Sequence, residues 1–118
     1  MKMSSERKKE LQEQYKQMKP DMGILAVINK DSQRCWLEAT PNLKGKQNSV
    51  LFQLKNGSHF NRRLQKDWNE MGEEAFQIVV LEQLEYDKDE SKTDYREDLE
   101  VLKMIWTDKL TEQGFQFY

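Results

Sequence analysis

Apolar residues along this chain fall into short groups whose spacing changes from helical to extended and back, with polar or glycine-containing turns between them. In residues 5–18, Leu11, Tyr15 and Met18 recur at four- and three-residue steps within a highly charged stretch, which predicts a narrow amphipathic helix that Pro20 ends. From Gly23 to Asn29 the run Ile24-Leu25-Ala26-Val27-Ile28 is almost unbroken, and the polar turn Asn29-Lys30-Asp31-Ser32 leads to a second short run, Cys35-Trp36-Leu37. Two apolar runs around such a turn predict a β-hairpin over 23–37. Thr40 followed by Pro41 reads as an N-cap with proline at the first helical position, and Leu43, Gln47, Val50, Leu51 and Leu54 share a face of a helix near 41–55 that Asn56-Gly57-Ser58 closes. Phe60, Leu64, Trp68 and Met71 repeat the helical step over 59–71, up to Gly72 at a C-cap position. Residues 75–82 are rich in β-branched side chains and predict a buried strand. Ser91-Lys92-Thr93-Asp94 matches a capping box ahead of a long helix over 93–111, whose stripe is Tyr95, Leu99, Leu102, Trp106 and Leu110. Phe115, Phe117 and Tyr118 would expose three rings unless the end of the chain docks on the body.

No internal repeat is present, and the order helix, hairpin, two helices, strand, helix implies an α+β domain. The expected architecture is a small three-stranded antiparallel sheet flanked by helices, with an extra N-terminal helix and burial of Ile24, Leu81, Trp68 and Trp106. Residues 1–20 read as a charged helix, 21–112 as the domain and 113–118 as an aromatic tail.

Composition changes this picture little. A chain of 118 residues with 36% hydrophobic and 34% charged residues fits one domain with one core, needing neither disulfide nor metal to hold it. No apolar run has the length of a membrane span, and Arg7-Lys8-Lys9 is not followed by the apolar segment of a secretory signal, so a cytoplasmic location is expected. Cys35 is the single cysteine, which excludes an intrachain disulfide and a cysteine-based zinc cage and suits a small buried strand residue.

Charge is more informative by segment than in total. The net charge is −2, yet residues 40–68 carry +5 and residues 82–112 carry −6. The middle stretch holds Lys44, Lys46, Lys55, Arg62, Arg63 and Lys66, which are candidates for phosphate contacts; the competing account is that these are ordinary solvated helix faces.

Met22-Gly23-Ile24-Leu25, Cys35-Trp36-Leu37-Glu38, Pro41-Asn42-Leu43, Gly57-Ser58-His59, Leu64-Gln65-Lys66-Asp67-Trp68 and Ala75-Phe76-Gln77-Ile78-Val79-Val80-Leu81-Glu82 together resemble, in order and spacing, the GIY-YIG nuclease domain. The resemblance spans about residues 22–110 and implies the same α+β fold. It also implies metal-assisted phosphodiester hydrolysis by two tyrosines, an arginine and a glutamate, with a histidine in several members. The matching positions here are Leu25, Trp36, Lys46, Lys103 and His59.

Set against the chemistry, most of these positions are depleted. Leu25 has no group that could activate or orient water. Trp36 keeps a ring and an N–H donor but accepts no proton, and Glu38 replaces a small glycine with a carboxylate that repels phosphate. Lys46 keeps the positive charge without the bidentate fork of arginine. Lys103 does not ligate a hard cation, although Glu100, about one turn earlier, would supply a carboxylate in a shifted register. His59 reads either as a phosphate contact or general acid, or as an exposed residue at a helix start.

Three functions follow. The first is a catalytically inactive nuclease-like module that binds DNA or RNA weakly and in a salt-sensitive way, with no cofactor. The second is a protein-interaction or assembly module, including a homo-oligomer, presenting an apolar patch of Trp36, Phe115, Phe117 and Tyr118. The third is an active endonuclease with a shifted catalytic set, which alone calls for Mg²⁺ or Mn²⁺.

Overall fold

The computed structural model describes residues 19–118, so the helix expected over residues 5–18 lies outside the described residues. Strand β1 (Met22–Asn29) pairs antiparallel with β2 (Arg34–Thr40) on one side and with β3 (Phe76–Leu84) on the other. A short β4 (Gln116–Phe117) joins β2 in parallel, so the order is β3-β1-β2-β4. The expected three antiparallel strands are therefore present, but the sheet is four-stranded and mixed. The chain end supplies the extra strand: Gln116 N–H donates to Gln33 O and Tyr118 N–H to Cys35 O, both at 3.0 Å.

β1 is apolar from Met22 to Ile28 because it is central and covered on both faces. Leu25 and Val27 point to one face with Trp36 and Phe76, which α1 (Leu43–Asn56) and α2 (Arg62–Met71) cover through Leu43, Val50, Leu54, Leu64 and Trp68. Ile24 and Ala26 point to the other face with Cys35 and Leu37, covered by α3 (Arg96–Glu112) through Leu102 and Leu110. Phe115 and Phe117 dock on this second face and Tyr118 on the first, so the tail rings are half-buried. Ile24 and Trp68 are buried as expected, whereas Leu81 and Trp106 are half-buried. Burial pushes the Cys35 thiol up to about 11.

Gly23 sits next to a register shift between Ile24 and Leu25 opposite β3. A Cβ at this position would overlap the Glu82 carbonyl oxygen, so close backbone approach is what calls for glycine here.

The helix starts differ from the sequence expectation. Thr40 is still in β2, opposite Gly23; Asn42 caps α1 by accepting Gly45 N–H at 3.0 Å, while Thr40 Oγ1 accepts Asn42 N–H at 3.1 Å and so positions the cap. α2 begins only after Asn61, whose side chain accepts Leu64 N–H at 3.1 Å, which leaves His59 and Phe60 in the preceding loop. The capping box over 91–94 does not form. Ser91 is held by Asp89 in a local turn, Asp94 turns to Arg96, and Tyr95 precedes α3 without a side-chain cap. Both loop-closing glycines have positive φ, 73° at Gly57 and 84° at Gly72, where the missing Cβ relieves the backbone.

Candidate nucleic-acid interface

Strand register brings together, on the face under α1 and α2, residues far apart in the matched motifs. Leu25 pairs with Glu38 and Val27 with Trp36. Leu25 is fully buried and Trp36 is 7% exposed, so neither side chain is presented to a ligand. The burial of Trp36 and the docking of the tail rings also remove the apolar patch expected from Trp36, Phe115, Phe117 and Tyr118. Lys46, in the first turns of α1, reaches back over β2 to Glu38, with Nζ 3.9 Å from Oε1. Lys46 and Glu38, which the resemblance matches to an arginine and a glycine, thus face each other.

His59 lies beside this pair and is buried, not exposed at a helix start; the Lys46 charge is felt at its ring. The ring meets Trp36 edge-on at 4.8 Å and stacks on Phe60 at 4.8 Å with 19° between planes. Nδ1 accepts Asn61 N–H at 3.1 Å, which places the proton of the neutral ring on Nε2. Nε2 is buried without a partner. Burial, reinforced by the nearby Lys46 charge, holds the His59 pKa below its usual value. In this arrangement His59 supports the loop, and its free nitrogen is shielded from a phosphate.

Gln65, buried on α2, fixes the same loop. Its Oε1 accepts His59 N–H at 3.0 Å, and its Nε2 donates to Leu54 O at 2.9 Å and to Asn69 Oδ1 at 3.0 Å. One amide therefore ties the end of α1, the loop and α2. Alongside runs an open groove of about 690 Å³, bounded by Gly57–Phe60 and by the α2 side chains Arg62, Gln65, Lys66, Asn69 and Glu70. Phe60 stands in its wall and is 66% exposed. Sequence reasoning missed Gln65 and Phe60 as site residues. The available signal was an aromatic beside the single histidine, immediately before an Asn that can cap a helix.

The basic candidates are only partly free. Lys46 pairs with Glu38, Lys55 with Glu73 at 3.8 Å and Lys66 with Glu70 at 4.0 Å. Among the described residues Lys44, Arg62 and Arg63 are exposed and make no ion pair. Arg62 and Lys66 line the groove; Lys44, Lys55 and Arg63 do not.

Lys103 and Glu100 lie on α3, the helix of the opposite face. The divalent ion that the resemblance implies finds no matching donors in these residues. Lys103 offers an ammonium, Glu100 a single exposed carboxylate, and Glu38 is committed to Lys46. Among the described residues no three His, Cys, Asp or Glu side chains gather in a way that could hold a metal. No helix among them is long and apolar enough to cross a membrane.

No protein-family model matches the chain, and no curated protein sequence does. Solved structures do match. The catalytic domain of the homing endonuclease I-TevI superposes with a TM-score of 0.62 at 18% identity, covering 80% of this chain and 94% of that one. A glutamate-to-alanine mutant of the intron endonuclease I-TevI catalytic domain gives 0.57 at 17% identity, covering 83% and 92%. I-TevI is a GIY-YIG homing endonuclease, and this chain has the fold of its catalytic domain.

Proposed function

We propose that this protein is a GIY-YIG nuclease-like module that no longer cleaves and that binds nucleic acid through the groove beside α2. The observation that carries the reading is the Glu38–Lys46 pair. The cation that would meet the scissile phosphate is engaged by a carboxylate of its own chain. Support comes from the full burial of Leu25, which puts a hydrocarbon where the resemblance requires a phenol, and from the ammonium of Lys103 at the position of the metal-binding glutamate. Arg62 and Lys66 provide positive charge in the groove, and the unpaired Lys44 and Arg63 add to it outside. The acidic 82–112 segment limits affinity by repelling the same phosphates.

The test pairs a cleavage assay with Mg²⁺ or Mn²⁺ with DNA and RNA binding at two salt concentrations. Binding without cleavage, weakened by Arg62→Ala/Arg63→Ala, is the expected result. Robust cleavage lost in Glu100→Ala would overturn the inactive reading in favour of the shifted carboxylate.

One further observation favours a second reading. On the outer side of α3, Val101, Met104 and Ile105 are 56%, 66% and 43% exposed, an apolar stripe that suits a protein partner or a second copy. Sedimentation of the wild type beside Met104→Lys tests it: a concentration-dependent oligomer that the lysine dissolves supports assembly, and a monomer at all concentrations counts against self-association.

A further inference from the structure

The groove beside α2 joins an unusual aromatic arrangement to positive charge. Phe60 is held from behind: His59 stacks on it at 4.8 Å, and Trp36 meets it edge-on with centroids 5.8 Å apart. Trp36 and His59 are themselves buried in the body of the fold. The backbone under the platform is fixed by Gln65 accepting His59 N–H and by Asn61 N–H donating to His59 Nδ1. With one face on His59 and 66% of its surface accessible, the Phe60 ring leaves its other face to solvent. Exposure alone does not set a phenyl ring apart, since Phe52 is 68% exposed as well. Phe60 is both exposed and rigidly backed, within a groove that also holds Arg62 and Lys66.

We propose that Phe60 is a base-stacking platform and that the groove takes single-stranded nucleic acid, one base lying on the open face of Phe60 and its flanking phosphates on Arg62 and Lys66. The inference rests on the nucleic-acid reading of this site and narrows its ligand. Stacking requires a free base face, and inside a duplex both faces of every base are already covered by neighbours. Aromatic platforms along a basic groove are the general means of holding single strands without reading sequence. Glu70 is the acidic member of the lining and already faces Lys66 at 4.0 Å, so the unpaired Arg62 is the stronger phosphate contact.

Anisotropy titrations of the full chain with labelled oligo-dT, oligo-U and a blunt duplex, each roughly 15 nucleotides long, test the proposal. Wild type, Phe60→Ala, Phe60→Trp and Arg62→Ala/Lys66→Ala are compared at about 50 and 200 mM salt. The expected result is tighter binding of the single strands than of the duplex. Phe60→Ala should weaken single-strand binding about 5- to 150-fold with its salt slope unchanged, and Phe60→Trp should restore it. Arg62→Ala/Lys66→Ala should instead flatten the slope. The dT and U arms distinguish DNA from RNA as the strand. Duplex and single strand bound equally, with Phe60→Ala silent, would overturn the platform and leave the binding module standing. Absence of binding by any oligonucleotide at low salt would overturn both and leave Phe60 as a contact for a protein. Because Phe60 is exposed, its replacement should leave the fold and its circular dichroism unchanged.

Discussion

Lys46 and Glu38 face each other at 3.9 Å, with side chains about one third exposed, 33% and 28%. At that exposure the pair contributes little to stability, about 0–1 kcal/mol. Its larger effect is on what Lys46 can attract. Glu38→Gln should therefore leave the unfolding midpoint nearly unchanged while tightening nucleic-acid binding, and should steepen the salt dependence by about 0.7–0.9 for one added phosphate contact. Measuring Kd across a salt series for both proteins checks this, and an unchanged slope would mean that Lys46 does not reach a phosphate even when released.

Gly23 should tolerate no side chain. The position is buried and its virtual Cβ meets backbone, which yields less readily than a side chain tip. Gly23→Ala should cost about 1–3 kcal/mol through a forced shift of β1 against β3, read as a lower urea midpoint at unchanged slope.

The folded state should favour neutral pH through His59. Its pKa is lowered by burial, so between the folded and the unfolded value the unfolded chain binds more protons. The contribution is present above the unfolded pKa of about 6.5, declines as pH falls below it and is lost through the folded pKa. His59→Phe keeps a ring between Trp36 and Phe60 but cannot titrate. The difference in stability between about pH 7.5 and 5.5 should shrink in this variant, whereas an unchanged difference would assign the slope to other groups.

Tyr118 should link the chain end to the core. Its hydroxyl accepts from Asn29 Nδ2 at 3.0 Å and donates to Asp67 Oδ2 at 2.8 Å, joining the end of β1 to α2. Tyr118→Phe leaves a buried Asn29 amide with one fewer acceptor and should cost about 1–3 kcal/mol. Denaturant titration of the single variant measures it.

Much of the fold was legible because local and global signals agree. The unbroken apolar run of β1 is what a central strand covered on both faces requires, and the stripe Leu43, Val50, Leu54 is the face that α1 buries. The GIY-YIG-like fold followed from motifs spaced along residues 22–82, and the structure matches that of the I-TevI catalytic domain. Errors arose where two local chemistries compete. Thr40 could cap α1 but is still paired in β2, and Asn42 takes the role. Phe60 fits the helical step to Leu64, yet Asn61 caps α2 after it. Ser91 and Asp94 satisfy the capping pattern but are taken by Asp89 and Arg96. The site was the least legible part. Placing Glu38 against Lys46, or Gln65 across α1, the loop and α2, depends on packing between elements, which periodicity does not encode.

Restoring the phenol should not restore the chemistry. Leu25 is fully buried between Val27, Trp36 and the α1 side chains, so Leu25→Tyr adds volume and a hydroxyl to a packed site. Overpacking of this kind costs about 1–3 kcal/mol, and an unpaired buried hydroxyl adds to it. Even a folded Leu25→Tyr protein would keep the Glu38–Lys46 pair and the ammonium of Lys103. The expected outcome is a lower melting temperature with no cleavage of DNA or RNA in Mg²⁺ or Mn²⁺. Adding Lys103→Glu to Leu25→Tyr and Glu38→Gly supplies a carboxylate and removes the acid facing Lys46, but leaves Trp36 without a phenol. Cleavage should stay at background in this triple variant and also when Trp36→Tyr is added, because Lys103 lies on the opposite face of the sheet. Cleavage by Leu25→Tyr alone would show that the remaining residues already form a competent site and would overturn the inactive reading.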